Sequence, residues 1–337
     1  MKTKDKKKTS SKRKLAPAIA MLTTSAVMLT TATYAWFTIG KEAQVTGLQM
    51  SATASGGLEI SLGHIGTNGA LTRDRDSFTP SMDNSSWKSN INVGEYYETV
   101  AKLSPASSIN GTSLFEVDKG ISAGGTKVES TQAVTAVDNV NYDALTLRST
   151  YEANGTIKEG TSTDPKYYAD VPLWIRSSTA TNIKCKVDIT DAQGSSETTK
   201  ELQKAVRVAL IPINSAEDIA TSSDHGTNLK IEKTATPSSS GTVNFFATDY
   251  TGYNDNKALS DASTFSASLA AVTATEQKAN EEVSNVISID APESGKYSVK
   301  GFIVRVWLEG ESTSCKDVNA GQDWNISLKF TADDAQS

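Results

Sequence analysis

The sequence predicts an all-β fold, an antiparallel β-sandwich with long loop insertions and one or two short helices. Three observations carry this reading. Several short segments alternate apolar and polar residues with period two, the mark of half-buried strands. Gly, Ser, Asn and Asp punctuate the intervals between them. Segments with helical character are few by comparison. The 337 residues are 37% apolar and 21% charged, enough for a sizeable core and too ordinary in charge for wholesale disorder.

The elements follow in order. Leu48–Ala54 alternates strictly, and Leu58, Ile60 and Leu62 alternate with Glu59 and Ser61. Residues 63–170 are rich in Gly, Ser, Asn, Thr and Asp, and read as an elaborated insertion. A structureless loop of that length is unusual, so short strands are expected at Ala133–Val137 and Asn141–Arg148. Val171–Arg176 is a further strand. Ile183, Cys185, Val187 and Ile189 form one apolar face with Lys184, Lys186 and Asp188 opposite. Ser196–Ala205 carries helix formers and is expected to be helical, ahead of strands at Val206–Ile211, Leu229–Glu232 and Val243–Phe246. Within Asp261–Val283, the run SLAAVTATEQKANEEV predicts an amphipathic helix of a few turns. Val286–Ile289 follows as a strand. Phe302, Val304, Val306 and Leu308 are backed by Ile303, Arg305 and Trp307, so that strand is apolar on both faces and belongs at the centre of a sheet. Trp324, Ile326, Leu328 and Phe330 give the last alternating strand.

Residues 1–35 hold eight basic groups and one acid, Asp5. Taking these from the chain's 33 and 39 leaves 25 basic and 38 acidic side chains, a balance of −13. The acidic Ser/Thr-rich body argues against nucleic acid and against anionic membrane surfaces as partners. Leu15 to Gly40 contains no charged residue and follows the basic stretch. That order is a secretory signal peptide over 1–35, cleaved between Ala35 and Trp36, with residues 36–337 as the β-sandwich domain. The competing reading is a retained membrane anchor. Pro17 and the threonines lower the hydrophobicity of the run and favour cleavage. Either way the body lies outside the cell, and the membrane is a partner only through an uncleaved N-terminus.

No motif for catalysis is evident. His64 and His225 are far apart and sit in loop-like contexts, short of the three ligands a catalytic zinc needs. Asp249, Asn254, Asp255 and Asp261 lack the spacing of a calcium loop. No nucleophile elbow is present, and the adjacent Glu281 and Glu282 would not face one another on a helix. No catalytic, metal-binding or cofactor-binding residue is therefore selected, and no cofactor is expected. Cys185 and Cys315 are a candidate disulfide, as two cysteines in an oxidising compartment often pair; a buried apolar thiol is the alternative for Cys185. Trp87, Tyr96 and Tyr97 are candidate sugar-stacking surfaces on the insertion, or else local core.

The leader ends in TATYAWF, which resembles the end of leaders cut by the SipW-type signal peptidase. VPLWIRSS, KAVRVALI, VWLEGES, WNISLKFTA and, in the insertion, LSPASS are similar to segments of secreted Gram-positive proteins bearing that leader, the TasA/camelysin family. The resemblance implies a jelly-roll sandwich, export by that peptidase, and subunits that self-associate into surface or biofilm-matrix fibres, with other matrix proteins as possible company. In the fibre formers the freed N-terminal segment adds as a strand to the next subunit. By position the donor residues here would be Trp36, Phe37, Ile39, Val45, Leu48 and Met50. From Leu48 onward the same alternation also fits an ordinary first strand of the chain's own sandwich. Camelysin relatives are classed as metalloproteases, but no zinc motif is present to carry that activity over. A monomeric surface module holding glycan or a host protein, secreted or membrane-retained, is the alternative to the fibre subunit, and a hydrolase whose carboxylate pair only the fold would assemble is the third reading.

Overall fold

The computed structural model describes residues 49–65, 71, 80, 84–98, 103–106, 108, 111, 114–117, 134–136, 146–147, 167–191, 201–213, 219–221, 229–231, 242–248, 274–310, 312, 314–315, 322 and 324–333. In chain order the strands are β1 (Gln49–Ser55), β2 (Glu59–Ser61), β3 (Asn90–Asn92), β4 (Tyr97–Glu98), β5 (Phe115–Val117), β6 (Val134–Ala136), β7 (Thr146–Leu147), β8 (Tyr168–Ser177), β9 (Thr181–Asp191), β10 (Val206–Ile213), β11 (Ile219–Thr221), β12 (Leu229–Ile231), β13 (Val243–Ala247), β14 (Ala274–Lys278), β15 (Glu282–Ile289), β16 (Ser298–Leu308) and β17 (Trp324–Ala332). Two sheets make the sandwich, one ordered β15-β9-β17-β1-β3 and the other β14-β13-β10-β16-β8-β2. The all-β sandwich expected from the alternation is the fold. Three two-stranded ribbons, β4/β7, β5/β6 and β11/β12, accompany it.

The sheets are not purely antiparallel. β1 runs parallel to β17, from Gln49 opposite Asn325 to Ser55 opposite Thr331, and β13 runs parallel to β14. The first parallel pair brings the start of β1 beside the start of β17, the last of the described strands.

The alternating rows become the core. Met50, Ala52 and Ala54 of β1, Ile183, Cys185, Val187 and Ile189 of β9, and Trp324, Ile326, Leu328 and Phe330 of β17 are all buried. They meet Val171 and Leu173 of β8, Val206 and Val208 of β10, and Phe302, Val304 and Val306 of β16, all within one core cluster. Phe302 and Phe330 touch across the two sheets with ring centroids 5.5 Å apart and tilted, a geometry worth about 0.5–1.5 kcal/mol beyond area burial.

β16 lies centrally, between β10 and β8, and both of its faces are covered. The cover on its outer face comes from the insertion. Ala106 bridges Glu309 in parallel register, donating to the Leu308 carbonyl at 2.9 Å and accepting from the Gly310 amide at 3.0 Å. The buried Glu309 carboxylate accepts from the Ser108 amide and from Trp307 Nε1, both at 3.3 Å. Gly111, at φ +70°, sits so close that a Cβ there would lie 2.7 Å from the Ala209 Cβ. Residues 106, 108 and 111 of the expected loop region thus belong to a strap packed over the six-stranded sheet.

Both expected helices are corrected. Of Ser196–Ala205, residues 201–205 are described, and Leu202–Lys204 forms a single 3-10 turn. Of Asp261–Val283, residues 274–283 are described, and they are strand β14, a turn, and the start of β15. Helix-forming side chains there yield to the sheet. Asn280 takes a left-handed φ of 67° and its amide donates to the Val187 carbonyl at 2.8 Å. Its side-chain oxygen accepts from the Ile189 amide at 2.9 Å, so the turn pairs the β9 backbone where β15 has not yet begun. A residue in that conformation stops a helix.

Candidate functional site

Trp36, Phe37, Ile39, Val45 and Leu48 of the candidate donor segment, and the Ala35–Trp36 cleavage position, lie outside the described residues. Met50 is described, 1% exposed on β1. It occupies the inner face opposite Ile326, so from Met50 onward the alternation belongs to the chain's own sheet. β1 pairs with β17 through seven residues but with β3 through Ser51, Ala52 and Thr53 alone, opposite Asn92, Ile91 and Asn90. After Ser55 the chain turns through Gly56 and Gly57, both left-handed at φ 71° and 79°. Two successive residues in that region call for glycine.

The edges of the two sheets differ in what they present. β2 is three residues long, and Ile60 and Lys88 exchange amide and carbonyl bonds at 2.8 and 2.9 Å. The same segment continues onto β1, where the Ala54 amide donates to the Ser89 carbonyl at 2.9 Å. Residues 88–92 therefore join the two sheets along that side. On the opposite side β15 is broken by a register shift between Val283 and Ile287, with Asn285 at φ 58°. β14 carries Glu276, Gln277 and Lys278. Asn244 ties the two sheets there, accepting from Gln277 Nε2 at 2.9 Å and donating to the Val286 carbonyl at 3.4 Å.

The aromatic candidates are corrected. Trp87, Tyr96 and Tyr97 are 4%, 4% and 3% exposed and belong to the core cluster, so none presents a face for a sugar. The Arg176 guanidinium lies 4.7 Å from the Trp87 ring centroid and 4.0 Å from that of Tyr297. It also donates to Glu59 at 2.7 Å and to the Asn84 side-chain oxygen at 2.6 Å. Lys88 Nζ donates to the Tyr96 hydroxyl at 2.8 Å. These rings dock the insertion onto the β2 side of the sandwich, and an arginine already occupies the aromatic slot.

The candidate disulfide is also corrected. Cys185 and Cys315 are both buried thiols rather than partners in a bond. Cys185 is on the inner face of β9, level with Val283 and Phe330, while Cys315 lies beyond the end of β16, its amide bonded to Ser312. Burial pushes the Cys185 thiol far above its ordinary range. The strand alternation favours this outcome, since it turns Cys185 inward as a small apolar residue.

Two buried polar features escape a reading by motif. Asp170 and Arg305 face each other across β8 and β16 as a bidentate pair, Nε to Oδ1 and Nη2 to Oδ2 both 2.8 Å, each side chain 1% exposed. The guanidinium stacks 4.5 Å from the Tyr168 ring. Glu309 is the other, fastening the strap. The signal that could have found the pair is a charged residue inside an otherwise apolar strand, whereas Glu309 lies just past the end of β16.

Among the described residues no three His, Cys, Asp or Glu side chains converge as a metal site, and no helix is long and apolar enough to cross a membrane. His64 is partly buried next to Gly63, and His225 and the Asp249–Asp261 cluster lie outside the described residues. Glu281 pairs with Lys278 in the turn before β15. No family model, curated protein or solved structure matches the chain.

Proposed function

We propose that this chain is an exported, non-catalytic structural protein, a subunit of surface or biofilm-matrix fibres that join by N-terminal strand addition. The single observation that carries the reading is the position of β1. The first of the described strands lies inside a sheet, between β17 and the three-residue β3. A strand so held can be supplied by the chain's own N-terminal region or by that of a neighbour, because main-chain bonds and an alternating inner row are all the slot demands. The basic and then uncharged leader supports export, with cleavage between Ala35 and Trp36 freeing the donor segment.

Two measurements on native extracellular material test this. N-terminal sequencing should find a start at Trp36. Concentrated protein should form filaments or SDS-resistant ladders by electron microscopy and gel, and deleting Trp36–Ser51 should abolish them. Protein that stays strictly monomeric at high concentration overturns the proposal.

A further inference from the structure

We propose that Tyr297, Glu59 and Asn84 form a binding site for an uncharged oligosaccharide, arranged around the guanidinium of Arg176. The site does not depend on assembly and serves a fibre subunit and a monomer alike.

Register brings these residues together. Arg176 on β8 stands between Val299 of β16 and Glu59 of β2, in one row at the β2 edge of the six-stranded sheet. Tyr297 ends the segment that leads from β15 in one sheet to β16 in the other. Gly295 turns that segment at φ +74°, and Lys296 pairs with Glu293 across the turn. The Arg176 guanidinium lies 4.0 Å from the Tyr297 ring centroid and 4.7 Å from that of Trp87. Its Nε donates to Glu59 Oε2 at 2.7 Å and its Nη2 to Asn84 Oδ1 at 2.6 Å. Arg176 is itself 1% exposed. It is a positioning residue that holds the other three and does not reach a ligand.

What those three leave open suits a sugar. A cation 4.0 Å from the ring centroid covers one face of Tyr297, so its 37% exposure belongs to the opposite face and the ring edge. Among the described residues it is the one large apolar side chain so exposed. The electronegative face of an aromatic ring attracts the slightly positive C–H groups on the apolar face of a pyranose. Glu59 spends Oε2 on Arg176 and keeps Oε1, and its side chain is 36% exposed. Asn84 spends Oδ1 and keeps the two donors of Nδ2, and the Tyr297 hydroxyl is bonded to no described residue. An acceptor, a donor and a hydroxyl beside an aromatic face match the hydroxyls of a sugar, which both give and accept. Each group is tied to the same guanidinium, so its rotamer is set before a ligand arrives. The charges cancel as well. Arg176 answers Glu59, Lys296 answers Glu293, and Lys300 lies 3.4 Å from Asp290. That balance fits an uncharged ligand rather than a polyanion.

Cellohexaose and chitohexaose are the probes, since both are uncharged and both present flat apolar ring faces. Each is titrated against the protein by saturation-transfer NMR. The wild type should bind at least one, and a preference between them tells whether an acetamido group is recognised. Tyr297→Ala should weaken binding by about tenfold or more. Asn84→Asp still offers an oxygen to Arg176 but removes the open donor, so it should keep the wild-type urea midpoint while binding falls about fivefold. Both variants are checked by near-UV circular dichroism, and if Tyr297→Ala loses its signal the Asn84→Asp titration decides. Binding of neither hexamer by the wild type, or wild-type affinity in either folded variant, overturns the proposal and leaves the fibre reading untouched.

Discussion

Asp170 and Arg305 are enclosed by the sheet, each side chain 1% exposed. Two ionised groups removed from water survive there because the bidentate geometry answers both carboxylate oxygens. Removing one partner leaves the other charge buried and unanswered. Asp170→Ala is therefore expected to cost about 3–5 kcal/mol in urea unfolding, whereas Asp170→Leu with Arg305→Met should recover most of that loss. Cys185 behaves in the opposite sense, since its buried form is neutral. The unfolded thiol titrates near pH ~8.5, while the folded thiol is pushed far higher and keeps its proton. Above that pH the unfolded state binds fewer protons than the folded state, so stability falls as pH rises; well below it the group adds no slope. Between about pH 8.5 and 10, denaturation curves should show the wild type losing stability relative to Cys185→Ala. Equal slopes would show that the thiol titrates in the folded state.

At the scale of elements, the strap is held by the fit of one glycine. A side chain at Gly111 would strike the Ala209 Cβ at 2.7 Å and would also strain a φ of +70°. Gly111→Ala should destabilise the protein by about 1–3 kcal/mol in thermal or urea melts. Ala209→Gly in the same chain should return the packing share of that loss and not the backbone share. The strap also marks where sequence reading stops. The strands with a strict period of two, such as Ile183–Ile189 and Trp324–Phe330, were legible because an alternating row can face only one core. The two-faced pattern of Phe302–Leu308 correctly put β16 at the centre of its sheet. Nothing local announces that LSPASS lies over Trp307, since its partners are two hundred residues away (201 for Ser108 and Glu309). The helix expected at SLAAVTATEQKANEEV, described here from residue 274 on, failed for a related reason. Composition favoured a helix, but the Asn280 side chain and amide are bonded to β9, a partner no local window contains. The aromatic candidates misled because Trp87 and Tyr96 find their cations, Arg176 and Lys88, only after folding.

At the scale of the whole molecule, the first and last described strands lie side by side. β17 pairs with β9 on one side and β1 on the other, and the Ser51 and Ser327 hydroxyls meet across 276 residues of chain. Its inner row supplies Trp324, Ile326, Leu328 and Phe330, each 0–1% exposed, to the centre of the core. Without β17 the five-stranded sheet is cut in two, and β1 and β3 lose their link to β9 and β15. The six-stranded sheet would then have its inner face open to water, which a sandwich cannot survive. A chain ending at Gly321 should therefore lack a cooperative urea transition and the near-UV signal of packed tryptophans. Pairing over such separations also makes folding slow, because loop closure comes before the contacts that offset it. Full-length protein diluted from urea should refold on a timescale of milliseconds to seconds or longer. Adding the missing strand in trans, as a peptide of Gly321–Ser337, should restore part of the native signal to the truncated chain if the slot beside β9 forms as a template. A truncated chain that melts cooperatively by itself would mean that β17 adds to a sandwich already complete without it.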